Sequence, residues 1–106
     1  MKTIFTIHAP KAKHLAKVKA EMIAMGAPTI RVVDCGDYLM ALEGCHRIAA
    51  AHALGITPNL CVIDQDEIVD VTGFDWFDAA NWAESEYQAG EVAGELFSTQ
   101  AVEYRF

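Results

Sequence analysis

The spacing of apolar and polar positions changes several times along this chain, and each change predicts an element. Residues Thr3 to Ile7 alternate weakly and read as a first strand. Pro10 then stands where a helix can begin. Leu15, Val18, Met22 and Met25 recur at three and four residues, the stripe of an amphipathic helix that Gly26 would stop. Thr29–Asp34 is β-branched and apolar, Cys35-Gly36-Asp37 is a turn, and Tyr38–Leu42 returns as a second strand, which together predict a hairpin. After Glu43-Gly44-Cys45, the alanine-rich stretch His46–Leu54 predicts a helix that Gly55 ends. Leu60–Asp64 predicts a strand, and Glu67–Val71 a further short one.

Beyond Thr72-Gly73 the pattern becomes aromatic and acidic. Asp75 is placed to cap a helix through Trp76, Phe77, Ala80, Ala83 and Tyr87, which Gly90 and Gly94 would keep from continuing. Ser98–Phe106 reads as a strand or an ordered tail. The elements predict a single compact α/β (α+β) domain, residues 1–106. It would hold a small mixed sheet with helices over residues 1–64, and an acidic C-terminal helix within an extension, 65–106, packed on that core.

Composition narrows the classes. Apolar residues are 53% and charged residues 22%, globular values that exclude disorder of the whole chain. No apolar stretch approaches the ~18 residues of a membrane span, and the first residues lack the apolar core and cleavage site of a secretory signal. A cytoplasmic protein is expected. Cys35, Cys45 and Cys61 fit no disulfide framework and no C-x-x-C zinc site, so reduced thiols are expected, at least one of them in the core.

The net charge of −7 is uneven. Up to Ile63, seven Lys/Arg face four Asp/Glu; from Asp64 onward, one Arg faces eleven Asp/Glu. An acidic tail of this kind repels a phosphate backbone, so direct DNA binding is not expected, while a small anion site in the first part is compatible with the charges.

The stretch from Gly36 to Ala51 carries the chemistry. It reads as strand, glycine turn and helix start, with Gly44-Cys45-His46-Arg47 at the junction. The first N–H groups of a helix have no internal partner, and phosphate groups bind there. Arg47 offers a planar fork for two phosphate oxygens. His46 offers a donor, or an acceptor when neutral. The dipole and Arg47 would favour a Cys45 thiolate. A plainer reading has a turn glycine, a buried thiol and a solvated arginine.

This stretch resembles the ParB/sulfiredoxin superfamily. Gly36-Asp37-Tyr38, followed by Gly44-Cys45-His46-Arg47 and Ala49-Ala50, is similar to sulfiredoxin, and the likeness covers roughly residues 1 to 64. The resemblance implies a ParB/sulfiredoxin-like fold and a nucleotide, ATP or CTP with Mg2+, whose phosphates lie at Gly44, Cys45, His46 and Arg47. It implies Cys45 as nucleophile, His46 and Arg47 as the phosphate pair, and Lys17 on the first helix as a nucleotide contact. Ala20 and Ala24 stand where that family has hydroxyl residues. Glu43 replaces a small residue and brings a negative charge beside the phosphate place. The activities implied are phosphoryl transfer, nucleotide hydrolysis or sulfinic-acid repair, with Cys45, His46 and Arg47 catalytic.

Other features carry less. Asp64, Asp66, Glu67 and Asp70 have the oxygens to hold magnesium for a nucleotide, though such a run is more often a solvated turn, and no metal ligand is assigned. His8, His14 and His52 have no convergent partner visible in sequence. Trp82 falls off the predicted aromatic stripe and is expected to be exposed among Glu84, Glu86 and Glu91. That surface suits a basic protein partner and supports an alternative function, a non-catalytic acidic interaction or inhibitor protein on the same scaffold. Its models are a nucleic-acid mimic or an accessory protein of a mobile element, by analogy alone.

Overall fold

In the first strand, β1 (Thr3–Thr6), Ile4 and Thr6 are buried and their neighbours half-buried, the period of two that the sequence pattern predicts. The computed structural model describes residues 2–106, with the side chains of residues 98–100 set aside. After β1 come α1 (Ala12–Met25), β2 (Thr29–Asp34), β3 (Tyr38–Ala41), α2 (Cys45–Leu54) and β4 (Asn59–Ile63). They are followed by β5 (Ile68–Asp70), a 3-10 turn (Val71–Gly73), β6 (Glu86–Gln88), α3 (Ala89–Gln100) and β7 (Val102–Tyr104). The sheet is mixed, in the order β4-β2-β3-β1-β7. β1 runs parallel to β3, β2 parallel to β4, and the β2–β3 hairpin and β1–β7 are antiparallel.

Strand alternation sorts the core into two sides. Ile4, Ile30, Val32, Leu39 and Ala41 turn towards Ile48 of α2. Val33, Met40, Leu42 and Ile63 turn the other way, towards Ala89, Val92, Ala93 and Leu96 of α3 and the β5 region. Val18 and Met22 of α1 lie against Ala50 and Ala51 of α2, so small residues on α2 let the two helices approach. The result is a mixed α/β domain with helices on both faces of a five-stranded sheet. Among the described residues, no helix is long and apolar enough to cross a membrane.

Up to Ile63 the elements match the expected ones within one or two residues. Pro10 precedes the capping residue Lys11 rather than opening the helix. Met25, expected on the buried stripe, is exposed.

The acidic third differs more. No helix forms over Asp75–Tyr87. Asp78 instead organises turns: its carboxylate accepts the Ala80 N–H at 2.9 Å and the Asn81 amide at 3.0 Å, and its carbonyl accepts the Trp82 N–H at 2.9 Å. Ala80 and Ala83 are exposed, so the apparent stripe buries no continuous face. The aromatics are anchored one by one, Trp76 stacking on Phe74 with centroids 4.9 Å apart and donating its indole N–H to the Leu42 carbonyl at 2.7 Å.

The C-terminal helix comes later, as α3, with both glycines inside it. Gly90 is a packing requirement. A Cβ there would stand 2.9 Å from Gln65 Cβ, and the Gly90 N–H donates to the Gln65 carbonyl at 2.7 Å. Burial of Ala89, Val92, Ala93 and Leu96 outweighs the propensity cost of roughly 1 kcal/mol per glycine. The chain end is strand β7, which pairs with β1.

Candidate functional site

A cleft of about 620 Å³ opens between α1, the β3–α2 turn and the segment 73–75. The turn is built by Gly44, whose φ of 82° is left-handed and would strain any other residue. A Cβ on Gly44 would also lie 3.0 Å from Ile30 Cδ1 and 3.4 Å from an Arg47 terminal nitrogen. Gly44 thus admits the Arg47 guanidinium close over the backbone. The capping residue of α2, Gly44, has no side chain with which to accept the N–H groups of the first turn.

Gly44, Cys45, His46 and Arg47 all line this cleft, so the structure brings the sequence motif to one place. Arg47 donates to the Thr29 carbonyl at 3.3 Å and has no carboxylate partner among the described residues. Glu43 also lines the cleft, but its charge is engaged. One of its oxygens accepts from Arg31 Nε at 3.1 Å and from a terminal Arg31 nitrogen at 3.0 Å. Arg31 also lies over the Phe74 ring, 5.3 Å from its centroid.

The α1 wall consists of His14, Val18, Glu21, Met22 and Met25. Lys17 is exposed on α1 and does not line the cleft; it is the one residue of the expected nucleotide set that the fold does not gather. Phe74 and Asp75 close the far side. Asp75, expected as a helix cap, is here a cleft carboxylate.

The histidines were the part sequence reasoning missed. Cys45 Sγ lies 3.5 and 3.6 Å from the two ring nitrogens of His8 and 3.4 Å from His46 Nδ1. The His14 ring stacks on His46 with centroids 4.2 Å apart. His46 Nε2 accepts the Lys11 backbone N–H at 3.0 Å. Only the parallel pairing of β1 with β3 brings His8 to Cys45 across 37 positions. No protein-family model, curated protein or solved structure matches this chain. The site is therefore read from its own chemistry.

Electrostatics set the resting protonation. Burial, followed by the Asp75 carboxylate, pushes the Cys45 thiol up, against a smaller downward pull from backbone N–H groups at the helix start. The expectation of a thiolate at rest, drawn from the helix dipole and Arg47, is corrected by that burial. Burial and then the positive charges of His14, His8 and Lys11 hold His46 below its ordinary value. The fold therefore prefers neutral His46. The unfolded chain binds the proton more readily, so stability is full above the ordinary histidine value and falls as pH drops below it. Wild-type protein should show a declining thermal midpoint between pH 7.5 and 5.5, and His46→Gln a shallower decline. Equal slopes in the two proteins would refute this origin.

The remaining candidates are not part of the cleft. His52 packs edge-on against Tyr104 and Phe106. Asp70 accepts the Thr72 N–H and hydroxyl as a turn cap. Among the described residues, no group of three or more His, Cys, Asp or Glu is arranged to hold a metal ion. Trp82, expected to be exposed, is half-buried between Trp76 and Tyr87, at centroid distances of 5.4 and 5.2 Å. Its face is used by packing, while Glu84, Glu86 and Glu91 remain exposed.

Proposed function

We propose that the cleft binds the phosphates of a nucleotide such as ATP or CTP at Gly44–Arg47, and that phosphoryl transfer or hydrolysis is the reaction it serves. The observation that carries this reading is Arg47, folded over a helix start whose capping residue is glycine, with no carboxylate partner among the described residues. A guanidinium and helix-start N–H groups in one cleft are matched to phosphate oxygens. Val18, Met22, Met25 and Phe74 supply an apolar wall of the kind a base or ring system needs. Glu21 and Asp75 are the cleft carboxylates free to hold magnesium brought in with the phosphates, since that ion is commonly bound by one or two carboxylates plus phosphate oxygens. Phosphoryl transfer is mainly positioning and charge stabilisation, and these residues supply both. Titration of isotope-labelled protein with pyrophosphate and with ATP should shift the amide resonances of Gly44 to Arg47 first. Shifts confined to other surfaces would reject the site.

A second reading rests on a separate observation. Asp64, Asp66, Glu67, Glu84, Glu86 and Glu91 are exposed and have no cation partner in any described ion pair. A basic protein docking on this surface would bind through long-range charge. Its affinity should fall steeply between 50 and 300 mM salt, roughly the range over which screening shortens to a few ångströms. Binding that ignores salt, or that is lost on Arg47→Ala alone, would count against it.

A further inference from the structure

We infer that β4 is a self-pairing edge: two copies of this chain dock β4 against β4, antiparallel about a two-fold axis, with Cys61 at the centre. β4 closes one end of the five-stranded sheet, so its outer side has no strand partner among the described residues. The backbone groups it presents there follow from its inner pairing. The Asn59 N–H donates to the Pro28 carbonyl at 2.8 Å, on the β2 side. Backbone groups alternate from side to side along a strand. Asn59, Cys61 and Ile63 therefore turn theirs to β2, and Leu60 and Val62 turn theirs outward. The outward N–H and C=O groups are thus placed symmetrically about Cys61. An antiparallel copy that sets Leu60 against Val62, and Val62 against Leu60, engages all of them at once. Each Cys61 then stands opposite its counterpart as a non-hydrogen-bonded pair, with Cα atoms about 4.5 Å apart.

The side chains admit this approach. From Asn59 to Ile63 the strand has no charged residue and no proline, the usual devices that keep an edge from pairing. Val62 is 56% exposed, Leu60 is half-buried, and Cys61 is exposed. The other end of the sheet is guarded, because β7 is three residues long and carries an exposed Glu103 paired with Arg105. Charge selects an antiparallel second copy. The acids beside β4, Asp64, Asp66 and Glu67, all follow its C-terminal end. The antiparallel register sets Asp64 against Pro58 of the other copy. The two Asp64 residues then lie about 20 Å apart along the strands, beyond the screening length of about 8 Å at physiological salt. A parallel copy would set Asp64 against Asp64.

The strength of the contact follows from its size. A ladder of five residues with one exposed valine is small beside the roughly 800 Å² per partner of a stable interface, so the dimer is a concentration-dependent one. Each copy carries a net charge of −7, so added salt strengthens the association by screening repulsion. That response is opposite to the one expected for a basic protein on the acidic surface. The inference does not depend on a phosphate ligand.

The test is amide hydrogen exchange of the full chain at low micromolar and at millimolar concentration. The Leu60 and Val62 amides should exchange at least about fivefold more slowly in the concentrated sample, while the Cys61 amide, already turned to β2, changes little. Cross-linking with diamide is a second readout. Two Cys61 thiols give up two protons and two electrons to the azo bond of diamide, which becomes a hydrazine, and one S–S bond forms. The disulfide is a trap for the dimer and no part of it. Peptide mapping should place the bond between two Cys61 residues, and Cys61→Ser should abolish the covalent dimer. Val62→Pro removes an outward N–H and leaves the β2 pairing intact, so it should sediment as a monomer where the unsubstituted protein is dimeric. Exchange at Leu60 and Val62 that ignores concentration, with monomeric sedimentation at millimolar protein, would overturn the inference. A dimer cross-linked through Cys35 instead, or one that Val62→Pro leaves intact, would overturn its placement on β4.

Discussion

Ile48→Ala should lower unfolding stability by about 2–5 kcal/mol, the usual cost of emptying a fully buried aliphatic site. Ile48 has no exposed surface and fills the space between α2 and Ile4, Ile30, Val32 and Leu39 of the sheet. Its neighbours are strand residues fixed by pairing on both sides, since β3 and β2 are interior to the sheet, so the cavity can collapse only in part. Its N–H also donates to the Gly44 carbonyl at 2.9 Å, which ties this packing to the turn that forms the cleft. Domains of this size have about 5–15 kcal/mol in total, so the variant should be visibly destabilised. Urea unfolding followed by tryptophan fluorescence measures it, and a loss below about 1 kcal/mol would contradict the packing described.

Arg47→Ala should have the opposite profile, with a large effect on ligand and a small one on the fold. Within the protein, Arg47 contributes one long hydrogen bond, 3.3 Å to the Thr29 carbonyl, and no ion pair among the described residues. Its removal should cost the fold little. Towards a phosphate it would supply charge-assisted bonds of about 1.5–3 kcal/mol, which corresponds to roughly a ten- to hundredfold loss of affinity. Arg47→Lys should fall between, because it keeps the charge and loses the planar fork.

Much of the first two-thirds was legible in sequence because local signals and tertiary packing agree there. The period-two strands, the α1 stripe through Val18 and Met22, and Gly44 before an alanine-rich helix each point to the structure observed. The motif Gly44–Arg47 was legible because it is contiguous. His8 was not. Its position depends on the strand pairing that carries it to Cys45, and a lone histidine near Pro10 has no local signal. Asp75 likewise reaches the cleft through a loop anchored by the Trp76 bond to Leu42. The misplaced C-terminal helix has a physical cause too. Gly90 looks like a helix breaker until the close approach of Gln65 is known, and Asp78 favours turns where aromatic spacing imitates a helix. Glu43 looked adverse to an anion because Arg31, twelve positions earlier, is brought to it only by the fold.

The most direct test of the phosphate site is calorimetric titration of the purified protein with ATP, CTP and ADP, with and without magnesium, repeated on Arg47→Ala. Saturable binding of at least one nucleotide, weakened at least about tenfold in a folded Arg47→Ala protein, is the result expected. No heat with any nucleotide, or equal binding by the two proteins, would contradict a phosphate site at Gly44–Arg47.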